Sequence, residues 1–367
     1  MRRDMISSSQ VTAIVASATI GVAILGLPAR TARIAGPDAW LSIVVGAFAT
    51  AGVAWAIVSL ARRFPGQTFV SYARDLLGPA IGTTLVVLFA LAELSAGALV
   101  IRTFGEAVVS VVLTETPLET LVVIMVLLTA YLALQRVIVF ARVMEFHFHM
   151  MVLTLSLFAA TVLGRVSMPN LYPVLGKGLK PVLIGTWDSL PAWVGFETML
   201  YHLGYAVSPR EATRATLLGV VAVGMAYLVI TVETVAIFGA GHMKVLQWPV
   251  LEAMKFAHVP GMIFERLESV FLVVWMAAAF TTAGALVYTS IRSLGDALNL
   301  SDHSPLVPAS VPILYGLAML SPNPIVTTAV TSVVAKVVGL YTVFLLAVLY
   351  VAAGIAAARR RGRDDGA

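Results

Sequence analysis

Long apolar stretches alternate with short polar connections along the whole chain. Most stretches reach or approach the roughly 20 residues that a helix needs to cross the hydrocarbon core of a bilayer. The first stretch alone would also fit a signal peptide, with a poor cleavage region at Ala29-Arg30-Thr31-Ala32. Because nine more stretches follow, we interpret it as an uncleaved first helix. The ten predicted membrane helices cover about residues 11–27, 40–61, 80–101, 118–134, 144–163, 184–205, 215–240, 268–291, 307–320 and 332–356.

The composition agrees with a membrane protein. Hydrophobic residues make up 59% and charged residues 12% of the 367 positions, against about 45–50% and about 25% in ordinary globular domains. This excludes a cytosolic enzyme and a disordered chain, and the absence of cysteine excludes a disulfide-stapled domain. No polar stretch is long enough to fold alone, so residues 1–367 are predicted to form one transmembrane domain. Connections at Phe64-Pro65-Gly66 and Trp248-Pro249 predict short amphipathic helices at the membrane surface.

Basic residues lie at the ends of the apolar stretches and at the two chain ends. The net charge is +5, but Lys and Arg are not clustered on a soluble domain, so no nucleic-acid partner is expected. The side that carries Arg2-Arg3, Arg62-Arg63 and Arg359-Arg360-Arg361 holds the larger share of the basic residues. Cytoplasmic loops have such an excess, which predicts that both termini lie in the cytoplasm.

Two of the predicted helices contain residues that weaken a helix in its middle. Helix 1 carries Gly21, Gly26 and Pro28, and helix 6 carries Pro191 and Gly195. These helices begin two five-helix halves, predicted at residues 8–163 and 184–358. Paired interruptions at corresponding positions point to a midplane binding site, because freed backbone groups must line a cavity or meet a ligand. The alternative is that the glycines are helix-packing contacts, which we favour for Gly26 alone.

The predicted site binds a small zwitterion such as an amino acid. Half-helix N-termini favour a carboxylate, and freed carbonyl groups favour an ammonium group. The side-chain pocket is expected to be small and apolar, suited to alanine or valine. The candidate lining of this pocket is Val22, Ala23, Ile24, Ala96, Leu99, Trp193, Val194 and Phe196. The predicted ligand-binding residues of the whole site are Gly21, Val22, Ala23 and Ile24 of helix 1, Ala96 and Gly97 of helix 3, and Val194, Gly195, Phe196 and Glu197 of helix 6.

Four acidic residues fall inside or at the edge of predicted spans, where ionisable groups are costly and often functional. They are Glu93, Glu197, Glu233 and Glu268. Glu197 follows the helix 6 interruption and is a candidate acceptor for a ligand amine or for freed N–H groups. For each residue the alternative is a structural hydrogen bond or ion pair. An ion-pair network of Glu265, Arg266 and Glu268 is expected at the outer end of helix 8.

Metal and catalytic sites are not expected. His147 and His149 are two residues apart and therefore point to different faces of a helix, with no evident third ligand. Thr281 and Thr282 of helix 8 are weak candidates for a sodium site with helix 1 carbonyls, although such hydroxyls more often bond to their own helix. Helix 5 has no interior lysine to replace the cation. No nucleotide-binding loop, zinc motif or catalytic triad is evident, so an enzyme is not expected and no cofactor is predicted.

Several motifs together resemble one family. They are Ile20-Gly21 through Leu27-Pro28, Pro37-Asp38-Ala39-Trp40, Tyr172-Pro173-Val174-Leu175-Gly176-Lys177-Gly178, Gly195-Phe196-Glu197-Thr198-Met199-Leu200, Trp248-Pro249, Ile263-Phe264-Glu265-Arg266-Leu267-Glu268-Ser269, Val273-Val274-Trp275 and Thr281-Thr282. Their order and spacing are similar to the B subunit, the permease-like subunit, of the nutrient germinant receptors of bacterial spores. These subunits are similar in turn to the amino acid–polyamine–organocation transporters.

The resemblance implies an all-α integral membrane fold with about ten transmembrane helices in a leucine-transporter-like five-plus-five inverted repeat. It also implies that a nutrient germinant, often an amino acid, binds in the transporter-like cavity. The family site carries over to Gly21, Val22 and Ala23, to the region of Ala96, and to Val194 and Gly195. The expected partners are the A subunit and the lipoprotein C subunit in the inner membrane of the spore. A true secondary transporter, or a scaffold with a vestigial cavity, remains the alternative.

Overall fold

The computed structural model describes residues 5–255 and 267–364. Within these ranges the regular structure is helical, apart from one isolated parallel bridge between Ile6 and Ala206. The α-helices, in chain order, are α1 (Ser8–Thr19), α2 (Ala23–Ala35), α3 (Ala39–Ala61), α4 (Phe69–Leu77), α5 (Pro79–Val111), α6 (Leu118–Ala133), α7 (Val137–Val162), α8 (Leu179–Ser189), α9 (Met199–His202), α10 (Pro209–His242), α11 (Pro249–Met254), α12 (Leu267–Ala297), α13 (Leu306–Met319) and α14 (Pro324–Asp364).

In the part of the chain that the structure describes, six helical segments are long and apolar enough to cross a membrane. They are Ala23–Ala61, Pro79–Val111, Val137–Val162, Pro209–His242, Val270–Ala297 and Pro324–Arg359. The apolar helices α6 and α13 are shorter, at 16 and 14 residues. The two predicted short helices are also present, as α4 and α11, while their position at the membrane surface stays a prediction.

Several predicted helices were too short at one end. Helix 3 was predicted to end near residue 101, but α5 continues to Val111. The helix can continue past Arg102 because this charge is neutralised within the helix. Arg102 Nε donates to Glu106 Oε1, one turn away, at 2.6 Å. Helices 5 and 10 likewise begin earlier than predicted, at Val137 and Pro324, and proline suits a first helical position because its missing N–H has no intrahelical partner there.

Helices 1 and 6 are both interrupted, as the sequence predicts. The helix 1 segment stops at Thr19, passes through the extended residue Ile20, and resumes at Ala23. The helix 6 segment ends its α-helix at Ser189 and continues as a 3₁₀ turn to Trp193. An extended Val194 and a left-handed Gly195 follow before a second 3₁₀ turn begins.

The packing divides the molecule into two sides around these breaks. We call the side with α2, α8 and α11 the cavity side, and the side with α1, α4 and α9 the sealed side. One large apolar cluster lies towards the cavity side and includes Trp193, Tyr227 and Trp275. A second lies towards the sealed side and includes Phe140 and Tyr288. The long helices α5 and α12 pack extensively against each other, as do α3 and α10, and they hold the interrupted helices in place.

Candidate functional site: a cavity at the two helix breaks

A cavity opens where the two interrupted helices meet. Its volume is about 440 Å³, within the roughly 300–1,000 Å³ that is typical of small-molecule sites. Both breaks contribute to its walls, together with the middle of α5, the start of α14 and the connection before α11. The arrangement therefore places a ligand-sized space where the backbone is not fully engaged in helical hydrogen bonds.

The N-terminus of α2 faces this cavity. Gly21, Val22 and Ala23 line it, and the residue before the helix, Val22, provides no side-chain cap. The first N–H groups of a helix have no intrahelical acceptor and carry partial positive charge. A carboxylate in the cavity would therefore find backbone donors at this position.

The break in helix 6 depends on Gly195. Its φ is +124°, and an added Cβ would lie 2.1 Å from the Ala18 carbonyl oxygen, so a side chain at this position would overlap the backbone of helix 1. The Gly195 N–H donates to the Glu197 carboxylate at 2.8 and 2.9 Å. Glu197 is therefore a local acceptor for a freed backbone group and lies behind the cavity wall.

Tyr227 of α10 joins the two breaks. Its buried hydroxyl lies 2.7 Å from the Ala192 carbonyl oxygen and 3.1 Å from the Thr19 carbonyl oxygen. Both carbonyl groups belong to the ends of interrupted helices, where the last carbonyls have no partner within the helix. One phenol on a continuous helix thus stabilises helix 1 and helix 6 at the same point.

A polar cluster supports the end of α1 on the sealed side of the break. Thr281 and Thr282 of α12 both donate to the Ser17 carbonyl oxygen at 3.1 Å. His147 of α7 lies 3.2 Å from both the Ser17 and Thr281 hydroxyl oxygens through its Nδ1 atom. Thr281 and Thr282 thus bond directly to a helix 1 carbonyl, and sodium binding stays a prediction.

Charged side chains surround the mouth of the cavity. Arg30 and Arg33 of α2 contribute to its lining. Asp188 of α8 lies between two cations, 4.0 Å from Arg30 Nε and 3.7 Å from Lys336 Nζ of α14. These half-buried ion pairs link three helices across the opening, and the lining itself is positively charged.

Half of the predicted site residues line the cavity: Gly21, Val22, Ala23, Ala96 and Val194. Ile24 is buried in the core behind them, and Gly97 faces Val287 of α12. Phe196 belongs to the apolar cluster on the sealed side, while Gly195 and Glu197 form the break itself. Contact of any of these residues with a ligand stays a prediction.

Many residues that line the cavity were not predicted from the sequence. Gln247 and Trp248, Arg30 and Arg33, and the α14 residues Thr328, Thr331 and Ala335 all line the cavity. The aromatic ring of Trp248 lies 3.5 Å from the position of a Cβ on Gly26, so this glycine gives room to the segment before α11. The Trp248-Pro249 motif was the available signal, but it predicted only a surface helix.

The remaining polar candidates differ: Glu233 of α10 is buried and its Oε2 has no hydrogen-bond partner among the described residues, Glu145 has structural contacts, and others lie outside the described residues. Glu145 accepts hydrogen bonds from Ser9 and Gln10. In the described part of the chain no group of three or more His, Asp or Glu side chains is placed to hold a metal ion. The predicted network at the outer end of helix 8 falls at Glu265 and Arg266, which are not among the described residues, and the Glu268 side chain is not described either.

The chain was compared with known proteins. A family model described as spore germination protein matches residues 5–327. The chain belongs to this spore germination protein family. Similar family members are spore germination protein YndE of Bacillus subtilis (strain 168), 26% identical over 87% of this chain and 88% of its own length, and spore germination protein A2 of the same strain, 24% identical over 84% and 85%.

Solved structures show the fold. Mhp1, a nucleobase-cation-symport-1 family transporter with bromovinylhydantoin bound, aligns with a TM-score of 0.65 at 16% identity over 94% of this chain and 78% of its own. MhsT in complex with L-phenylalanine aligns with a TM-score of 0.64 at 13% identity over 93% and 89%. The predicted all-α, leucine-transporter-like membrane fold with interrupted helices 1 and 6 is thereby confirmed.

Proposed function

We propose that this chain is the membrane subunit of a spore nutrient germinant receptor, which binds a small germinant in the midplane cavity and triggers germination with partner subunits. The observation that carries the proposal is the position of the cavity, at the meeting point of the two helix breaks. Membership of the spore germination family connects this site with germination.

An amino acid fits the chemistry of the cavity walls. The uncapped N-terminus of α2 favours the carboxylate of the ligand. Val22, Ala96 and Val194 offer a small apolar surface to its side chain. The cations at the mouth, Arg30 and Arg33, favour entry of a molecule that carries an anionic group.

The proposal includes the organisation of the receptor. The partners are the A and C subunits and the lipid bilayer, and the chain lies in the inner membrane of the spore with both termini in the cytoplasm. In this orientation the cavity opens away from the cytoplasm. Residues 8–163 and 184–358 form the two halves of the repeat, each beginning with an interrupted helix.

The test is ligand-dependent germination of spores whose only functional receptor contains this chain. A screen of single L-amino acids identifies the germinant, and Ala96→Phe then fills the cavity from α5. We expect the response to fall at least about tenfold, because a bulky ring competes with the ligand for a space of limited volume. The receptor must still assemble, as measured by immunoblotting of the partner subunits.

Leu91→Phe is the matched control, since Leu91 is on the same helix and is 48% exposed towards lipid. Unchanged germination of the Ala96→Phe spores would contradict the position of the site. Gly21→Leu is a less specific variant, because a Cβ on Gly21 would lie 2.6 Å from the Thr282 hydroxyl oxygen and would disturb the packing of α12.

A secondary amino acid transporter is the second candidate, and the solved structures that share the fold favour it. The test is uptake of labelled amino acids by the purified chain in vesicles. Accumulation against a gradient supports transport, whereas saturable binding without accumulation supports the receptor.

A further inference from the structure

Two buried carboxyl groups lie directly behind the cavity. Glu93 is on α5, one turn before the cavity residue Ala96, and its side chain is 0% exposed. Glu197 is in the 3₁₀ turn that follows the helix 6 break and is 1% exposed. The two residues are distant in sequence, yet their carboxyl groups are close enough to interact directly.

The hydrogen bonds of the two groups are unequal. Glu197 accepts the Gly195 N–H with both of its oxygens. Neither oxygen of Glu93 has a hydrogen-bond donor among the described residues, and the group that it faces is Glu197. Two carboxylates cannot bond to each other, because neither carries a hydrogen, but a single proton between them forms an O–H···O⁻ bond.

No described cation compensates a second negative charge at this position. The charged or titratable groups on the neighbouring elements are engaged elsewhere. Two of them form ion pairs, Arg102 with Glu106 and Lys336 with Asp188. Two donate to backbone carbonyls, Arg292 to that of Gln135 and Tyr341 to that of Leu85. His202 bonds to the Thr289 hydroxyl, and Arg74 donates to the Asn299 side chain. The phenol of Tyr72 is neutral. Two ionised carboxylates in contact and without a counter-ion would be strongly unfavourable in a buried site.

We propose that Glu93 and Glu197 form a proton-binding site, in which a neutral Glu93 donates its O–H to the ionised Glu197. The proton then completes a continuous chain of hydrogen bonds from α5 through Glu197 to Gly195. It holds helix 3 against the helix 6 break, about one turn from the cavity. Loss of this proton leaves two negative charges that repel each other at the helix 6 break. The proton therefore binds to the same break that contributes Val194 to the cavity wall.

Infrared spectroscopy of the purified full-length chain tests the protonation state directly, because a carboxylic acid and a carboxylate have separate C=O stretching bands. We expect a carboxylic-acid band at neutral pH that shifts in D₂O and is lost in Glu93→Gln. Glu145→Gln is the control, since this half-buried side chain accepts two hydrogen bonds from neutral donors, and its spectrum should keep the band. A wild-type spectrum without a band that depends on Glu93 would overturn the proposal.

Glu197→Gln provides the second variant, and it keeps the test decisive if Glu93→Gln does not fold. Here we expect the Glu93 band to remain but to change frequency, because its acceptor becomes a neutral amide. Spectra in sodium chloride and in choline chloride distinguish a proton from a metal cation. A band that disappears only in sodium would show that the pair binds the cation, and this result would also overturn the proposal.

Discussion

The two sides of the helix breaks differ in how they are held together. On the cavity side, α2 and α8 pack against each other near Ala35 and Gly185, but both also line the open cavity, and half-buried ion pairs at Asp188 link α8 to α2 and α14 at its mouth. On the sealed side, Ile6 forms backbone hydrogen bonds with Tyr205 and Val207, which join the start of helix 1 to the end of helix 6.

The sealed side also contains buried polar and aromatic contacts. The α9 helix has only four residues, which is too short to be stable alone. Its His202 stacks on Phe140 at 4.7 Å between ring centroids and bonds to Thr289, while Tyr201 donates to Asp296 at 3.1 Å. The mouth of the cavity is thus linked by half-buried ion pairs, whereas the corresponding point on the sealed side is held by buried contacts, so we expect a ligand to close the mouth more easily than to open the sealed side.

The largest effect is expected where the two sides meet, at Gly195. Gly195→Ala introduces a Cβ that overlaps the Ala18 carbonyl and forces a non-glycine residue to φ +124°. Backbone strain of this kind alone costs about 1–3 kcal/mol, and the overlap adds to it. We expect loss of a monodisperse, folded protein in detergent, measured by size-exclusion chromatography.

Gly52→Ala serves as the control, because nothing lies within 4 Å of an added Cβ at this exposed position of α3. Normal elution and stability of the Gly195→Ala protein would contradict the close approach of the two breaks.

A smaller effect is expected from removing the bridge between the breaks. Tyr227→Phe leaves the Thr19 and Ala192 carbonyls without their shared donor, at a cost of about 1–3 kcal/mol for unsatisfied buried groups. Thermal unfolding of the purified protein measures this change. Tyr131→Phe is the control, since Tyr131 is 66% exposed on α6. Equal stability of the two variants would exclude a structural role for the Tyr227 hydroxyl.

The smallest effect on stability is expected at the mouth. Asp188→Asn removes both ion pairs of this aspartate, and pairs that remain partly open to solvent contribute only about 0–1 kcal/mol. We expect an unfolding temperature close to that of Asp75→Asn, a variant at an exposed aspartate of α4, and a difference that vanishes at high salt. A loss as large as that in Tyr227→Phe would show that the mouth is as firmly held as the sealed side.

The sequence predicted those features that depend on local pattern. The lengths of the apolar stretches predicted the helices. Gly21 in helix 1, together with Pro191 and Gly195 in helix 6, predicted the two breaks. The helix ends were less accurate, because the Arg102–Glu106 pair allows charge inside a continuous helix.

The features that depend on tertiary contact were not predictable in this way. Glu93 and Glu197 come together only after folding, and so do Tyr227 and the ends of both breaks. The α14 residues that line the cavity could not be predicted, because small side chains such as these are common throughout membrane helices and form no recognisable motif. Glu197 itself was correctly identified as an acceptor for freed N–H groups, because that contact is local.

Single-cysteine labelling shows from which side of the membrane the helix breaks can be reached, and the chain has no cysteine to interfere. Ala23→Cys lies in the cavity wall, and Ala18→Cys lies five residues earlier in the sealed core. In reconstituted vesicles, a membrane-impermeant thiol reagent should modify Ala23→Cys from one side only and Ala18→Cys from neither. Modification of both cysteines from the same side, or of neither cysteine, would contradict a cavity that is open on one side of the helix breaks and closed on the other.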